Sequence, residues 1–391
     1  MKIFHTADWH LGKLVQGVYM TDDQRYVLHQ FLQAIDEEQP DAVIIAGDLY
    51  DRALPPVEAV DLLDEVLAEI VLKRKTPVLS IAGNHDSPTR LQFGNKLMKE
   101  SGLHIIGELD DKLEPVVLKD EYGEVHFHLV PFTEPSTVKN LFNDDSIDTF
   151  DDALKLIIHR IEEKMDQTKR HVFVGHAFVT PYGEKQENTS DSERPLAIGG
   201  TECVSAEYFK PFHYTALGHL HKAHYVLNET IRYSGSPLKY SASEANHEKG
   251  FLIVELDAEG KASIEKRAFT PRRELRIVEG TIQDILKHSP SEDYVFVRLM
   301  DLTPVVGAME QIRTVYPNAM HVERKTIPTI NENQSDVFKI QREQMDDMTL
   351  FKAFHKEIIG AEPTDEAIQL FEEVLQEMLN EEREIKEAVL K

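Results

Sequence analysis

The first half of the chain alternates short apolar runs with longer stretches in which apolar residues recur every three or four positions. That alternation predicts a layered α/β domain in which helices cover a sheet. Three runs matter most: residues 2–7, 42–46 and 77–82, each strongly apolar and each ending in a polar cluster that holds Asp or His. Ligand sites of open α/β sheets lie beyond the carboxyl ends of the strands. Residues 22–37 and 57–72 have helical spacing, and residues 125–130, 171–174, 214–217, 231–233 and 251–256 are further expected strands. A second sheet packed on the first accommodates them.

Near residue 270 the texture changes. A basic stretch, PRRELR, precedes a strand, helix, strand, helix, strand pattern that ends near Arg324, which predicts a small separate α/β domain. From 348 to 390 the pattern is helical, with Phe351, Phe354 and Ile358 before Gly360 and Pro363, and Ile368, Phe371, Leu375 and Met378 after them. The expected product is a helical hairpin with an acidic polar face. Two helices cannot bury a wide apolar face alone, so the hairpin either packs on its own protein or docks on a partner, and docking is the favoured reading. The expected division is therefore 1–270, 271–330, a linker at 331–347, and the hairpin at 348–391.

Composition narrows the function classes. With 391 residues, 41% hydrophobic and 29% charged, the chain is an ordinary globular protein of more than one domain and is neither disordered nor fibrous. Its 43 Lys+Arg against 69 Asp+Glu leave a net charge of −26, the reverse of a passive electrostatic nucleic-acid binder. Any handling of DNA needs bound cations, local basic patches or a partner. A single cysteine, Cys203, excludes an intrachain disulfide and a Cys-rich metal site, and is expected to be a packing residue. No apolar run is long enough for a membrane span, and the first residues form an expected strand, so the expectation is a cytoplasmic protein with no membrane contact.

The strand ends carry the candidate chemistry. In order they give Asp8 and His10 in DWH, Asp48 in GDLYD, Asn84 and His85 in GNHD, His176 in VGHA, and His219 with His221 in GHLH. Any one of these is more often a structural residue than a ligand, but together they form a mixed nitrogen and oxygen donor set suited to Mn²⁺, Fe²⁺ or Zn²⁺. Hydrolysis of a phosphate ester needs a nucleophile and neutralisation of the charge that builds on the phosphate oxygens. Two metals held ~3.5–4 Å apart supply both. Asp48 is the natural bridging ligand, Asn84 fills a position without adding negative charge, and His85 is free to protonate the leaving oxygen or stabilise the transition state. Asp51 and Asp86 are expected to orient a histidine from behind.

The series DxH, GDxxD, GNHD, GH and GHxH, in this order over residues 8 to 221, resembles the calcineurin-like metallophosphoesterase superfamily. Within it ADWHLG, SDSERPLAIGG, LGHLHKAH and YSGSPLKYSASE are similar to the bacterial SbcD nucleases. The resemblance implies a four-layer sandwich of two mixed sheets flanked by helices. It assigns Asp8, His10, Asp48 and His221 to one metal, Asp48, Asn84, His176 and His219 to the other, and makes His85 the catalytic histidine. It further implies a Mn²⁺-dependent DNA nuclease that works as a homodimer with the ATPase SbcC, trims double-stranded ends and cuts hairpins in DNA repair, recombination and replication. The small domain would cap the active site and the C-terminal helices would bind SbcC. GDLYDR also resembles the phosphatase pattern GDxxDRG, but Ala53 replaces its last glycine and GNHD stands where such phosphatases carry GNHE. Two alternatives are another phosphoesterase of this fold and a metal-free interaction scaffold.

Overall fold

The computed structural model describes residues 1–181, 190–193, 202–301, 303–325, 347–359 and 361–376. The chain divides into two compact units. The first comprises Met1–Ile277, Ser291–Phe296 and Tyr316–His321, and the second Val278–Pro290, Val297–Val315 and Val322–Lys391.

The first unit is built on twelve strands: β1 (Lys2–Thr6), β2 (Ala42–Ile45), β3 (Val78–Ile81), β4 (Leu103–Ile106), β5 (Val116–Asp120), β6 (Gly123–Val130), β7 (Arg170–His176), β8 (Tyr214–Gly218), β9 (His224–Val226), β10 (Asn228–Tyr233), β11 (Gly250–Leu256) and β12 (Ala262–Ala268). They pair into two six-stranded sheets of order β12-β11-β1-β2-β3-β4 and β9-β10-β8-β7-β6-β5. Both sheets are mixed. β1 to β4 run parallel, as do β6, β7, β8 and β10, while antiparallel strands complete the edges.

Strand periodicity of two explains the layers. In β2 and the residue after it, Ala42, Ile44 and Ala46 face inward and pack with Leu79 and Ile81 against Phe127, Val172, Val174 and Ala216 of the other sheet. The alternate residues Val43 and Ile45 face outward, onto helices α1 (Thr21–Glu38) and α2 (Val57–Ala68). On the far side, Phe173 and Val130 pack under α3 (Phe150–Glu162), whose first turn is fixed by a capping box of Thr149 and Asp152. The order is helix, sheet, sheet, helix, which is the expected four-layer sandwich. α2 ends earlier than its periodicity suggested, because Glu69–Lys73 continues it as a single wider π-type turn.

Leu275–Gly280, Tyr294–Leu299 and Ala319–Arg324 form a three-stranded sheet, with helices Ile282–Ile285 and Ala308–Ile312 at the two connections, in the order that the sequence pattern predicted. Asp347–Ile359 and residues 365–376 are helical, and the rings of Phe351 and Phe371 stack 4.1 Å apart. Residues 331–346 of the expected linker, and Gly360 and residues 377–391 of the expected hairpin, lie outside the described residues.

Candidate active site

The parallel strands deliver the candidate residues to one place. Asp8 and His10 follow β1, Asp48 follows β2, Asn84 and His85 follow β3, His176 ends β7, and His219 and His221 follow β8. Two loops are zipped together by their backbones, with the Asp8 amide donating to the Gly47 carbonyl at 3.1 Å and the His10 amide to the Asp48 carbonyl at 2.9 Å. Four of the residues sit in left-handed backbone: Asp8 (φ 53°), His10 (46°), Asp48 (52°) and His219 (105°). This region is strained for side-chain-bearing residues and persists only where the surroundings enforce it. Glycine supplies clearance. A Cβ on Gly83 would stand 2.1 Å from Asp48 Oδ1, and one on Gly47, itself at φ 90°, 2.4 Å from His176 Nδ1.

Two donor groupings share the centre. Asp8, His10 and His221 offer atoms within 4.8 Å of one another, and so do Asp8, Asp48 and His176. Asp48 Oδ2 stands between them, 3.6 Å from His10 Nε2 and 3.5 Å from His176 Nε2. Asn84 Oδ1 lies 3.0 Å from His176 Nε2. The His219 ring lies outside both groupings, with its centroid 5.5 Å from that of His176, while its backbone amide donates to Asp8 Oδ1 at 2.9 Å. His85 forms a third grouping with His10 and Asp51. Its Nδ1 lies 2.7 Å from the Asp51 carbonyl oxygen, and its amide donates to Asp48 Oδ1 at 2.9 Å.

Two curated proteins, each named as the SbcD component of the nuclease SbcCD, are similar to this chain over nearly its whole length. That of Staphylococcus epidermidis is 35% identical over 360 residues, 91% of this chain and 93% of the relative. That of Staphylococcus saprophyticus subsp. saprophyticus is 34% identical over 385 residues, 97% and 99% of the two chains. Residues 1–223 match the family model of calcineurin-like phosphoesterases. The chain is a calcineurin-like phosphoesterase of the SbcD family. Its residues 271–358 match a second model, described as a type 5 capsule protein repressor C-terminal domain.

Calcineurin-like phosphoesterases use divalent metals, and the donors here fit them. Asp8 Oδ2 is buried without a hydrogen-bond partner, and His10 and His221 bring their Nε2 atoms to 3.0 Å. Two imidazole lone pairs meet at that distance only with a proton or a cation between them. Burial pushes the Asp8 carboxyl up to about 7 and holds His10 and His219 well below the ordinary imidazole range. Burial also works against protonating His176, but the adjacent Asp48 carboxylate outweighs it and lifts the ring to about 9. The pocket thus sets two buried carboxylates among the neutral imidazoles of His10 and His219, with a proton on His176 as the local positive charge, a role that a bound cation takes over.

Of the residues expected behind the ligands in this phosphoesterase, Asp51 touches a histidine and Asp86 does not. Asp51 receives His85 through its carbonyl, and its carboxylate lies 2.8 Å from Lys13 Nζ and 3.9 Å from His10 Nδ1. Asp86 instead accepts the backbone amides of Gly83, Leu49 and Tyr50 at 2.9 to 3.1 Å, tying together the loops after β2 and β3. Sequence reasoning missed Gln24, whose buried amide donates to the carbonyls of Trp9 and His10 at 3.0 and 2.8 Å, with the Tyr240 hydroxyl also on Trp9. It missed the Ala46 carbonyl as well, which lies 2.9 Å from His176 Nδ1 and leaves Nε2 as the donor atom. A backbone carbonyl carries no residue-type signal, and a glutamine on a helix face looks like any solvated position. Cys203 is a packing residue in the core under α3.

Proposed function

We propose that this chain is the nuclease component of an SbcCD-type complex, hydrolysing DNA phosphodiester bonds at a two-metal site. The observation that carries the reading is Asp48 Oδ2, between a His10, His221 and Asp8 set on one side and a His176 and Asn84 set on the other. In this reading Asp8, His10, Asp48 and His221 hold one ion, and Asp48, Asn84, His176 and His219 the other. Divalent ions held there activate water for attack and neutralise the charge that develops on the phosphate. Mn²⁺ is the proposed metal: the mixed imidazole, carboxylate and amide donors admit it alongside Fe²⁺ and Zn²⁺, and the likeness to the SbcD nucleases favours it among them.

The chain's own groups do the rest. Asp51 fixes the His85 ring through Nδ1, so Nε2 is the atom that protonates the leaving oxygen. Asn84 adds a donor without the negative charge that would repel a phosphate. The strained backbone at Asp8, His10, Asp48 and His219 keeps donors aimed inward before any ion arrives.

Double-stranded ends and hairpins are the proposed substrates, processed in DNA repair, recombination and replication with the SbcC ATPase. SbcC answers the charge problem, since a chain of net charge −26 relies on a partner for phosphate contacts. The helices within 348–391 are its proposed seat, and the exposed Phe354, Leu370 and Val374 fit that use. A homodimer, division of the chain at 270 and 330, and a cytoplasmic location complete the reading. Among the described residues no helix is long and apolar enough to cross a membrane.

The test is nuclease activity on a blunt duplex and a DNA hairpin in Mn²⁺, Mg²⁺ and EDTA, with and without SbcC and ATP. Cutting that requires Mn²⁺ and is lost in Asp48→Ala and His85→Gln is expected. A wild-type chain inert on DNA with SbcC and ATP, yet active on an aryl phosphate, would overturn the DNA reading and leave a general phosphoesterase.

A further inference from the structure

Glu244 has no part in the site as described, yet its carboxylate is fully buried beside it. Oε1 lies 3.1 Å from His221 Nδ1 and accepts the hydroxyl of Ser192, whose Oγ stands 2.8 Å from the same Nδ1, with the Ser241 and Ser190 hydroxyls at 3.3 and 3.4 Å. Oε2 lies 2.5 Å from the ammonium of Lys249, itself buried. Lys249 Nζ also donates to the His221 carbonyl and to Ser236 Oγ, both at 2.8 Å. The His221 amide donates to Glu193 Oε1 at 2.7 Å. His221 is therefore gripped at ring, carbonyl and amide by three different charged side chains.

A buried ion pair is costly to desolvate, and an apolar pair of similar volume often serves packing as well or better. Packing alone does not explain why both members of this pair also hold one histidine. The acceptor at Nδ1, Glu244 Oε1 together with the Ser192 oxygen whose proton it takes, has a chemical consequence. It places the ring proton on Nδ1 and leaves the Nε2 lone pair for the other side, where His10 Nε2 stands 3.0 Å away.

We propose that Glu244 is a positioning residue for His221, fixing its tautomer and ring plane so that Nε2 is the donor toward the metal, with Lys249 as the counter-ion that also registers the 221 backbone. This rests on the reading of His221 as a metal ligand. Partners of this kind behind a metal-bound histidine are worth roughly 10- to 100-fold in metal affinity. The sequence segment that supplies both ends of the pair, SASEANHEK, begins 20 residues beyond His221, so no local spacing pointed to it.

The full chain, stripped of metal, is titrated calorimetrically with Mn²⁺ in the wild type and in Glu244→Gln, Glu244→Asp, the double variant Glu244→Gln with Lys249→Met, and His221→Ala. Glu244→Gln is expected to weaken one of two Mn²⁺ ions by about 10- to 100-fold, with partial rescue in Glu244→Asp. The double variant removes both charges together, so it separates positioning from the harm of a stranded buried lysine. If it melts like the wild type and binds both ions like the wild type, the proposal is overturned. His221→Ala is expected to lose the same ion, and wild-type binding there would remove the ligand reading and this proposal together. Loss in His221→Ala with no loss in the Glu244 variants would sink this proposal alone. The ¹⁵N histidine spectrum of the wild-type chain loaded with Zn²⁺ decides the matter without any Glu244 variant: a protonated Nδ1 on His221 is expected, and a protonated Nε2 overturns the inference.

Discussion

His10 and His221 come from the ends of two different sheets, and their Nε2 atoms stand 3.0 Å apart. Without a cation one ring must hold a proton between them, and the unpartnered Asp8 Oδ2 stays desolvated beside the pair. Metal loading is expected to stabilise the fold, by about 2.7 kcal/mol at a free concentration 100 times Kd. Calorimetric melting of the full chain across a Mn²⁺ series checks this. A midpoint that does not move with Mn²⁺, or that moves equally in Asp8→Asn, contradicts it.

Asp48 and His85 are adjacent in space but are expected to fail differently. Asp48→Ala removes the carboxylate that stands 3.6 Å from His10 Nε2 and 3.5 Å from His176 Nε2, so metal stoichiometry and cleavage are expected to fall together. His85→Gln is expected to keep bound metal and lose about 10²- to 10⁴-fold in turnover, the usual range for a positioned proton donor. Elemental analysis of dialysed protein alongside single-turnover cleavage separates the two. Equal metal loss in both variants would count against a proton-transfer role for His85.

Gly83 is expected to tolerate no side chain. Its added Cβ would meet Asp48 Oδ1 at 2.1 Å and the Asp48 amide nitrogen at 2.4 Å, and a backbone atom cannot swing aside. Gly83→Ala should weaken Mn²⁺ binding and lower the melting midpoint. Gly280→Ala, whose Cβ would meet only Ile285 side-chain carbons at 3.5 and 3.9 Å, serves as the control and should stay within about 0.5 kcal/mol of the wild type.

His5 and His128 give the fold an acid-side dependence of their own. Burial lowers both to about 3, so the folded chain keeps them neutral where the unfolded chain takes up protons. Their contribution is complete above pH 6.5 and is lost as pH falls from there toward 3. Each adds a slope of up to about 1.4 kcal/mol per pH unit in that window. Urea unfolding in EDTA between pH 4 and 7.5 should show a shallower slope for His128→Gln than for the wild type. An unchanged slope refutes the assignment.

Much of this was legible in the sequence because the chemistry sits at strand ends. An apolar run that stops at DWH, GDLYD or GNHD announces both the strand and the residue it presents, and the small sheet after residue 270 follows from alternation alone. The supports were not legible. Asp86 looked like a partner for a histidine and instead gathers three backbone amides, a role that depends on loops meeting in space. Glu244 and Gln24 act on residues 23 and 14 positions away through contacts that no periodicity encodes. The edge strands β4 and β5 escaped notice because their partly exposed, mixed sequences lack the apolar continuity of the central strands.

The donors are divided between the two sheets, and this orders events during synthesis of the chain. Asp8, His10, Asp48, Asn84 and His85 are in place once the first sheet's parallel strands exist, but His176, His219 and His221 emerge only after more than 80 further residues. Until β8 docks, the chain holds half a cation cage and no complete one. A chain truncated before residue 219 therefore carries Asp8, His10, Asp48, Asn84, His85 and His176 but lacks His219 and His221, and its cation cage stays incomplete.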